Sequence, residues 1–323
     1  MLTAVEKSQW PMPTLLFTHT ACIQHDTGEY HPECSDRLRA VLRILDHQDF
    51  SYLLREEAPK ATLEQLLRAH TEAHVAHILG SVPDGDDIYE LDSDTFISRH
   101  SGEAALRAAG AVVAAVDEVA ARRCRNAFCA VRPPGHHAEA DAAMGFCLFS
   151  NAAIGALHAR AVHGFQRVAV IDFDVHHGNG TQRILWDVPG TFYASTHQVD
   201  AFPYSGTAEE TGGHGGGIVV NVPLAAGSGS EAFRAAYTDI ILPRLRAFAP
   251  DFLLVSAGFD AHAADPIAHL RLHVSDFEWL TRELTSIAGE FADHRLVSVL
   301  EGGYDYRALA ASVAAHLRAL MGG

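Results

Sequence analysis

The sequence predicts an α/β fold: one domain over residues 1–323, with an open, mainly parallel sheet covered by helices on both faces. Three observations predict it. Seven short runs are rich in Val, Ile, Leu and Phe without polar alternation, as strands buried on both faces require. Amphipathic or Ala-rich stretches of helical length fall between the runs, the order expected of a parallel sheet. Several runs are followed at once by polar clusters, and the carboxyl edge of an open α/β sheet is where ligands bind.

The elements follow in chain order. Thr14–Thr18 is the first strand. Ser35 is placed to cap a helix whose Leu38, Val41, Leu42 and Leu45 have helical spacing. Thr62-Leu63-Glu64-Gln65 is a capping-box pattern. Ser101 begins an Ala-rich run to Ala121, small-sided enough to pack on a sheet. Strands are expected at Ala127–Val131, Arg167–Asp172, Gly190–Ser195 and Gly217–Val222. Ser230 and Glu231 open a helix towards Phe248. Asp251–Ala257 and Leu296–Leu300 are the last two strands, with a second capping box, Ser275-Asp276-Phe277-Glu278, between them.

Composition narrows the function classes. The formal net charge is −16. Such a surface repels phosphate backbones, so no direct nucleic-acid partner is expected, and it favours cationic substrates. The five cysteines, Cys22, Cys34, Cys124, Cys129 and Cys147, form no CxxC pair, which indicates neither a disulfide framework nor a thiolate zinc site. A reduced, cytoplasmic setting is expected, with no membrane span, since no apolar run approaches the roughly 20 residues one needs.

Chemistry concentrates in four segments. Asp172-Phe173-Asp174-Val175-His176-His177-Gly178-Asn179-Gly180 follows a strand. If its backbone stays extended, Asp174 and His176 share one side. Asp260, after another strand, is the natural third ligand. Three protein ligands leave a position open, the mark of a catalytic zinc site, although Fe²⁺, Co²⁺ or Mn²⁺ would suit the same donors. Asp172 sits deeper and suits a partner that fixes a histidine tautomer. In Arg132-Pro133-Pro134-Gly135-His136-His137, adjacent side chains are expected to diverge, giving a general base and a general acid. Of the 21 histidines, His74, His77, His158, His163, His269 and His273 read as helical or surface residues. Tyr304, after Gly302 and Gly303, is placed to stabilise an oxyanion.

With those motifs in view, the chain resembles the histone deacetylase family, whose relatives include acetylpolyamine amidohydrolases and acetoin-utilisation proteins. The likeness runs from His25-Asp26-Thr27-Gly28-Glu29-Tyr30-His31-Pro32-Glu33 and Arg37 through Glu301-Gly302-Gly303-Tyr304. The His31-Pro32-Glu33 segment and Asn179, where class I members carry Asp, look like class II. The resemblance implies an arginase-like α/β domain and zinc-dependent deacylation with one Zn²⁺ per chain. Asp174, His176 and Asp260 match the zinc ligands, and His136 and His137 the tandem histidines. Asp172 and Asn179 match their respective partners, and Tyr304 the carbonyl-polarising tyrosine. Gly145, Phe146, Phe202, Ile267 and Gly303 match the acyl-lysine tunnel. A structural K⁺ is implied near Asp172, Asp174, His176 and Ser195.

The resemblance leaves the substrate open between an acylated lysine peptide or protein and a small acylated amine. Ile267 stands where a related polyamine enzyme can carry a gatekeeper carboxylate, which favours acyl-lysine. The acidic segment Asp84–His100 reads either as a rim that holds a substrate backbone or as a solvated loop. An arginase-like binuclear ureohydrolase and a catalytically weak acyl-lysine binding module are the other readings, and a homo-oligomer is left open.

Overall fold

The seven apolar runs become seven of eight strands in a single sheet. A computed structural model describes residues 12–322. The strands are β1 (Thr14–Thr18), β2 (Leu54–Glu57), β5 (Asn126–Cys129), β6 (Val168–Asp172), β7 (Thr191–Gln198), β8 (Ile218–Leu224), β9 (Phe252–Ala257) and β10 (Leu296–Leu300); β3 (Tyr89–Asp92) and β4 (Thr95–Ile97) form a separate hairpin. The large sheet has the order β2-β1-β5-β10-β9-β6-β7-β8, and every pairing in it is parallel. Every residue of β6, β9 and β10 is buried, so both faces of the sheet centre are covered.

The helices are α1 (Ala21–Gln24), α2 (Ser35–Leu45), α3 (Leu63–Leu66), α4 (Glu72–Gly80), α5 (Ser101–Ala120), α6 (Asn151–His163), α7 (Asn179–Leu185), α8 (Ser230–Ala235), α9 (Leu242–Phe248), α10 (Val274–Phe291) and α11 (Tyr306–Leu320). Helix α5 packs on α6 and against β1, β5 and β10, while α11 packs between α2 and α10. Among the described residues no helix is long and apolar enough to cross a membrane.

The chain places β5 beside β1, then skips two positions to lay down β6, β7 and β8; β9 and β10 later fill the gap. Consequently the carboxyl ends of β5, β10, β9 and β6 are adjacent, although their sequences are far apart.

Several local expectations change. β2 reads Leu-Arg-Glu-Glu and is exposed along its length; a charged edge strand carries no apolar signature and resists edge-to-edge association. β7 runs to Gln198, so Ser195, Thr196 and His197 lie inside the strand rather than after it. α2 begins at Ser35, with Cys34 in the cap position. α10 begins at Val274, two residues before the Ser275 box would start it, with His273 as cap. The cause is Asp276, whose buried carboxylate accepts the His273 N–H at 2.9 Å, the Ser230 hydroxyl at 2.6 Å and Arg234 Nε at 2.8 Å. The Ser230–Phe248 helix forms, but Ala236–Ile241 is wound as a π-helix between α8 and α9.

Candidate active site

The four adjacent strand ends each deliver part of one cluster. β6 supplies Asp172 at its tip, then Asp174 and His176; β9 supplies Asp260; β5 leads to His136 and His137; β10 leads to Tyr304. The Phe173–His176 backbone bends rather than staying extended, yet both ligand side chains converge. His176 Nδ1 lies 3.1 Å from Asp174 Oδ1 and 3.4 Å from Asp260 Oδ2. Two donors held about 2.0–2.2 Å from one tetrahedral cation would stand about 3.3 Å apart, so the spacing fits a single metal. Asp260 Oδ2 is moreover buried without a hydrogen-bond partner. Burial disfavours a charged His176 ring, but the hydrogen bond to Asp174 and the charges of Asp174 and Asp260 overcome it and raise its pKa to about 10. The pocket therefore attracts positive charge at the atom where a metal would sit. One imidazole and two carboxylates suit zinc, iron or cobalt.

Two glycines let these groups meet. A Cβ on Gly302 would lie 2.0 Å from Asp260 Oδ2, and one on Gly258 would lie 2.0 Å from Asp174 Oδ2. Gly302 also donates its N–H to Asp174 Oδ2 at 2.8 Å.

The histidine rings do not diverge. They tilt against each other with centroids 4.0 Å apart, because the chain turns after Gly135 instead of continuing as strand. Their Nδ1 atoms take different partners. His136 Nδ1 lies 3.0 Å from Asp172 Oδ2, which also accepts the Tyr193 hydroxyl at 3.1 Å. His137 Nδ1 lies 2.8 Å from Asn179 Oδ1. Burial lowers both proton affinities, but the Asp174 and Asp172 carboxylates reverse the effect at His136, whose pKa rises well above the usual imidazole value. His137 has only an amide behind it. Burial, followed by the neighbouring His136 and His176, holds its pKa well below the usual value.

Above the cluster lies a cavity of about 180 Å³, lined by Asp94, Pro134, His136, His137, Gly145, Phe146, His176, Phe202, Ile267, Gly302 and Tyr304. The Phe202 ring meets His137 edge-on at 5.0 Å, and Phe146 meets Tyr304 edge-on at 6.0 Å. Gly145, Phe146, Phe202 and Ile267 thus reach the tunnel position. Gly303 does not: its carbonyl turns away to Arg37, and Gly302 takes its place in the wall. Ser195 lies beside Asp172 in the β6–β7 register, with its hydroxyl 2.9 Å from His197 Nδ1. Within Asp84–His100, Asp94 lines the cavity and its carboxylate accepts the Gly145 N–H at 3.1 Å, while residues 84–90 are exposed.

A histone deacetylase domain matches residues 31–320. The chain belongs to the histone deacetylase family. It is 38% identical to histone deacetylase 14, chloroplastic, of Arabidopsis thaliana, over 95% of this chain and 77% of that protein. It is 40% identical to a histone deacetylase-like amidohydrolase of Pseudomonas aeruginosa, over 87% of this chain and 74% of that protein. The crystal structure of the HDA15 HD domain superposes with a TM-score of 0.90 at 34% identity, covering 96% of this chain and 88% of that one. Family and relatives alike make this a hydrolase of the deacetylase and amidohydrolase type.

In this histone deacetylase fold, a layer of buried charge holds the site, built from Glu33, Arg37, Arg132 and Glu301, motif residues to which the sequence alone assigns no role. Glu33 sits between Arg37 and Arg132, all three with no solvent exposure. Arg37 Nη1 donates to Glu33 Oε1 at 2.8 Å, Nη2 to the Glu301 carbonyl at 2.5 Å and Nε to the Gly303 carbonyl at 2.6 Å, and its guanidinium covers the Tyr304 ring at 4.8 Å. Glu301 accepts the Gly135 N–H at 2.7 Å and the Ser256 hydroxyl at 3.0 Å, tying the histidine loop to β9 and β10. Burial raises the Glu301 pKa to about 7. Asp265 accepts the Tyr304 N–H at 2.7 Å. Glu33 and Arg37 are four residues apart in sequence, whereas Arg132 lies 99 positions from Glu33 and Gly303 lies 266 from Arg37.

Proposed function

We propose that this chain is a zinc-dependent amidohydrolase that removes acetyl or other acyl groups from lysine side chains of peptides or proteins, or from related small acylated amines. The observation that carries the proposal is the convergence of Asp174, His176 and Asp260, with an orphaned carboxylate oxygen, beneath a cavity walled by two phenylalanines. Those three residues would hold one divalent cation, which supplies Lewis acidity towards the acyl carbonyl and acidifies a water molecule beside it.

The chain's own groups supply the rest. A carboxylate behind His136 Nδ1 and an amide behind His137 Nδ1 favour the reverse of the expected pairing of His136 as base and His137 as acid. Neutral His137 presents the Nε2 lone pair opposite its Asn179 contact, so it takes the water's proton as the oxygen attacks the carbonyl carbon. His136, whose Nδ1 lies 3.0 Å from the buried Asp172 carboxylate, is held as the imidazolium by that partner and stabilises the developing negative charge. Burial and the nearby carboxylates hold the Tyr304 pKa well above 10, so it stays a phenol and donates to the oxyanion. His137 then returns its proton to the amide nitrogen, the C–N bond breaks, and the carboxylic acid formed passes its remaining proton to the amine, so that a carboxylate and an ammonium leave. Phe146 and Phe202 exclude water and enclose an alkyl stem. Ile267 in the wall supports acyl-lysine over acylpolyamine. A structural K⁺ by Asp172 and Ser195 remains part of the proposal.

A fluorogenic acetyl-lysine peptide tests the reading. Turnover should vanish on chelation, return with Zn²⁺ or Co²⁺, and fall about 100-fold or more in Tyr304→Phe. Full turnover in demetallated protein would overturn it.

A further inference from the structure

We infer that Glu139 is a positioning residue that sets the tautomer of His137 by fixing which way the Asn179 amide faces. Asn179 Nδ2 is surrounded by acceptors: Glu139 Oε1 at 3.0 Å, the His137 carbonyl at 3.4 Å and Met144 Sδ at 3.3 Å. Turning the amide over would set its oxygen against all three, so Nδ2 belongs there and Oδ1 faces His137 Nδ1 at 2.8 Å. Nδ1 must then carry the hydrogen, and the lone pair of the neutral ring lies on Nε2.

Of the three acceptors, only Glu139 is both charged and at a normal hydrogen-bond distance. A carboxylate at position 179 would present an oxygen to His137 in either orientation, so Glu139 would have nothing to choose and would only set a like charge against its second oxygen. An amide is two-faced and requires a third group to choose for it.

Glu139 is itself held. Its carbonyl lies 2.9 Å from His70 Nδ1, its N–H donates to the Ala142 carbonyl at 2.9 Å, and its second oxygen lies 3.1 Å from Arg183 Nε. It does not line the cavity, so it acts only through Asn179 and His137.

The kinetic part of this inference rests on the deacylase reading, and the test is built to separate the two. Glu139→Leu keeps the bulk and removes the acceptor. It should lower kcat on an acetyl-lysine peptide about ten- to a hundredfold, the worth of one charge-assisted hydrogen bond, with KM unchanged. Glu139→Gln, which still offers an amide oxygen, should recover most of that loss. In an Asn179→Asp background, Glu139→Leu should cost less than about twofold, because either carboxylate oxygen serves His137 and the change also removes the like charge that Glu139 Oε1 would set beside it. An equal cost in both backgrounds, no cost in the native background, or a Gln variant as impaired as the Leu one would each overturn the proposal. A second readout needs neither metal nor turnover: imidazole ¹⁵N spectra of the metal-free protein, with His137→Asn to assign the ring. They should show Nδ1–H at His137 in the native chain and loss of that preference in Glu139→Leu. The same tautomer in both would refute the inference. A native chain without turnover would sink the deacylase reading and leave this spectrum to decide.

Discussion

Adding one methyl group at Gly302 should disable the metal site without disturbing the fold. The Cβ of Gly302→Ala would fall 2.0 Å from Asp260 Oδ2 and 2.6 Å from Asp174 Oδ2. Ordinary contact needs over 3 Å, so the Asp260 oxygen must retreat by about 1 Å, while metal–ligand bonds tolerate only about 0.2 Å. Asp260 Oδ2 has no hydrogen bond to resist the push, so it yields before the backbone does. Gly302 is not in the left-handed region, so no backbone strain is added. Zinc affinity should fall at least about 10- to 100-fold, and turnover at saturating zinc about 100-fold, the cost of a misplacement near 1 Å. Competitive titration against a chromogenic chelator measures the first and the acetyl-lysine assay the second. Gly80→Ala, where nothing lies within 4 Å of the new Cβ, is the control and should match the native chain. If Gly302→Ala bound zinc within a factor of about two of native, the assignment of Asp174 and Asp260 as converging ligands would fall.

Asn179→Asp places a carboxylate 2.8 Å from His137 Nδ1, which should raise the depressed His137 pKa. If His137 is the base, the acidic limb of kcat/KM moves to higher pH; an unmoved limb would show that another group titrates there. Glu33→Gln leaves Arg37 and Arg132 buried with their shared charge removed. It should cost about 3–5 kcal/mol in urea unfolding, and a loss below about 1 kcal/mol would contradict the arrangement. Acid stability follows from buried neutral histidines. Burial holds His25, His70 and His316 at a pKa of about 3, against about 6.5 unfolded. Below pH 6.5 the unfolded chain binds protons that the native one refuses, so stability drops as pH falls from 6.5 towards 3. Each ring should contribute about 1 kcal/mol of loss by pH 5.5. A urea midpoint flat between pH 7 and 5.5 would refute this.

The strands were legible where burial on both faces leaves no polar alternation to confuse the reading, as in Val168–Asp172 and Phe252–Ala257. Exposure erased the signal for β2, and the two-strand hairpin β3–β4 is too short to carry a period. The bend at Phe173–His176 was missed for a different reason. An extended backbone also brings Asp174 and His176 to one side, so spacing alone could not tell the two conformations apart.

The site divides in the same way. The proposed metal ligands and the histidine pair stand out because local chemistry forces them together: a cation needs donors of the right type, and two of the three come from one loop. The residues that hold those donors obey no local rule. Arg37 meets the Gly303 carbonyl across 266 positions, and Arg132 meets Glu33 across 99. Each looks like an ordinary charge until the fold closes. Glu139 is the sharper case, because Asn179 is visible in the sequence as an amide beside the histidine pair. An amide poses a physical problem, since it must be told which way to face, and only the structure shows a neighbour placed to answer it. An amide whose orientation matters is therefore a place to look for a contact that fixes it, and here the contact is 3.0 Å long.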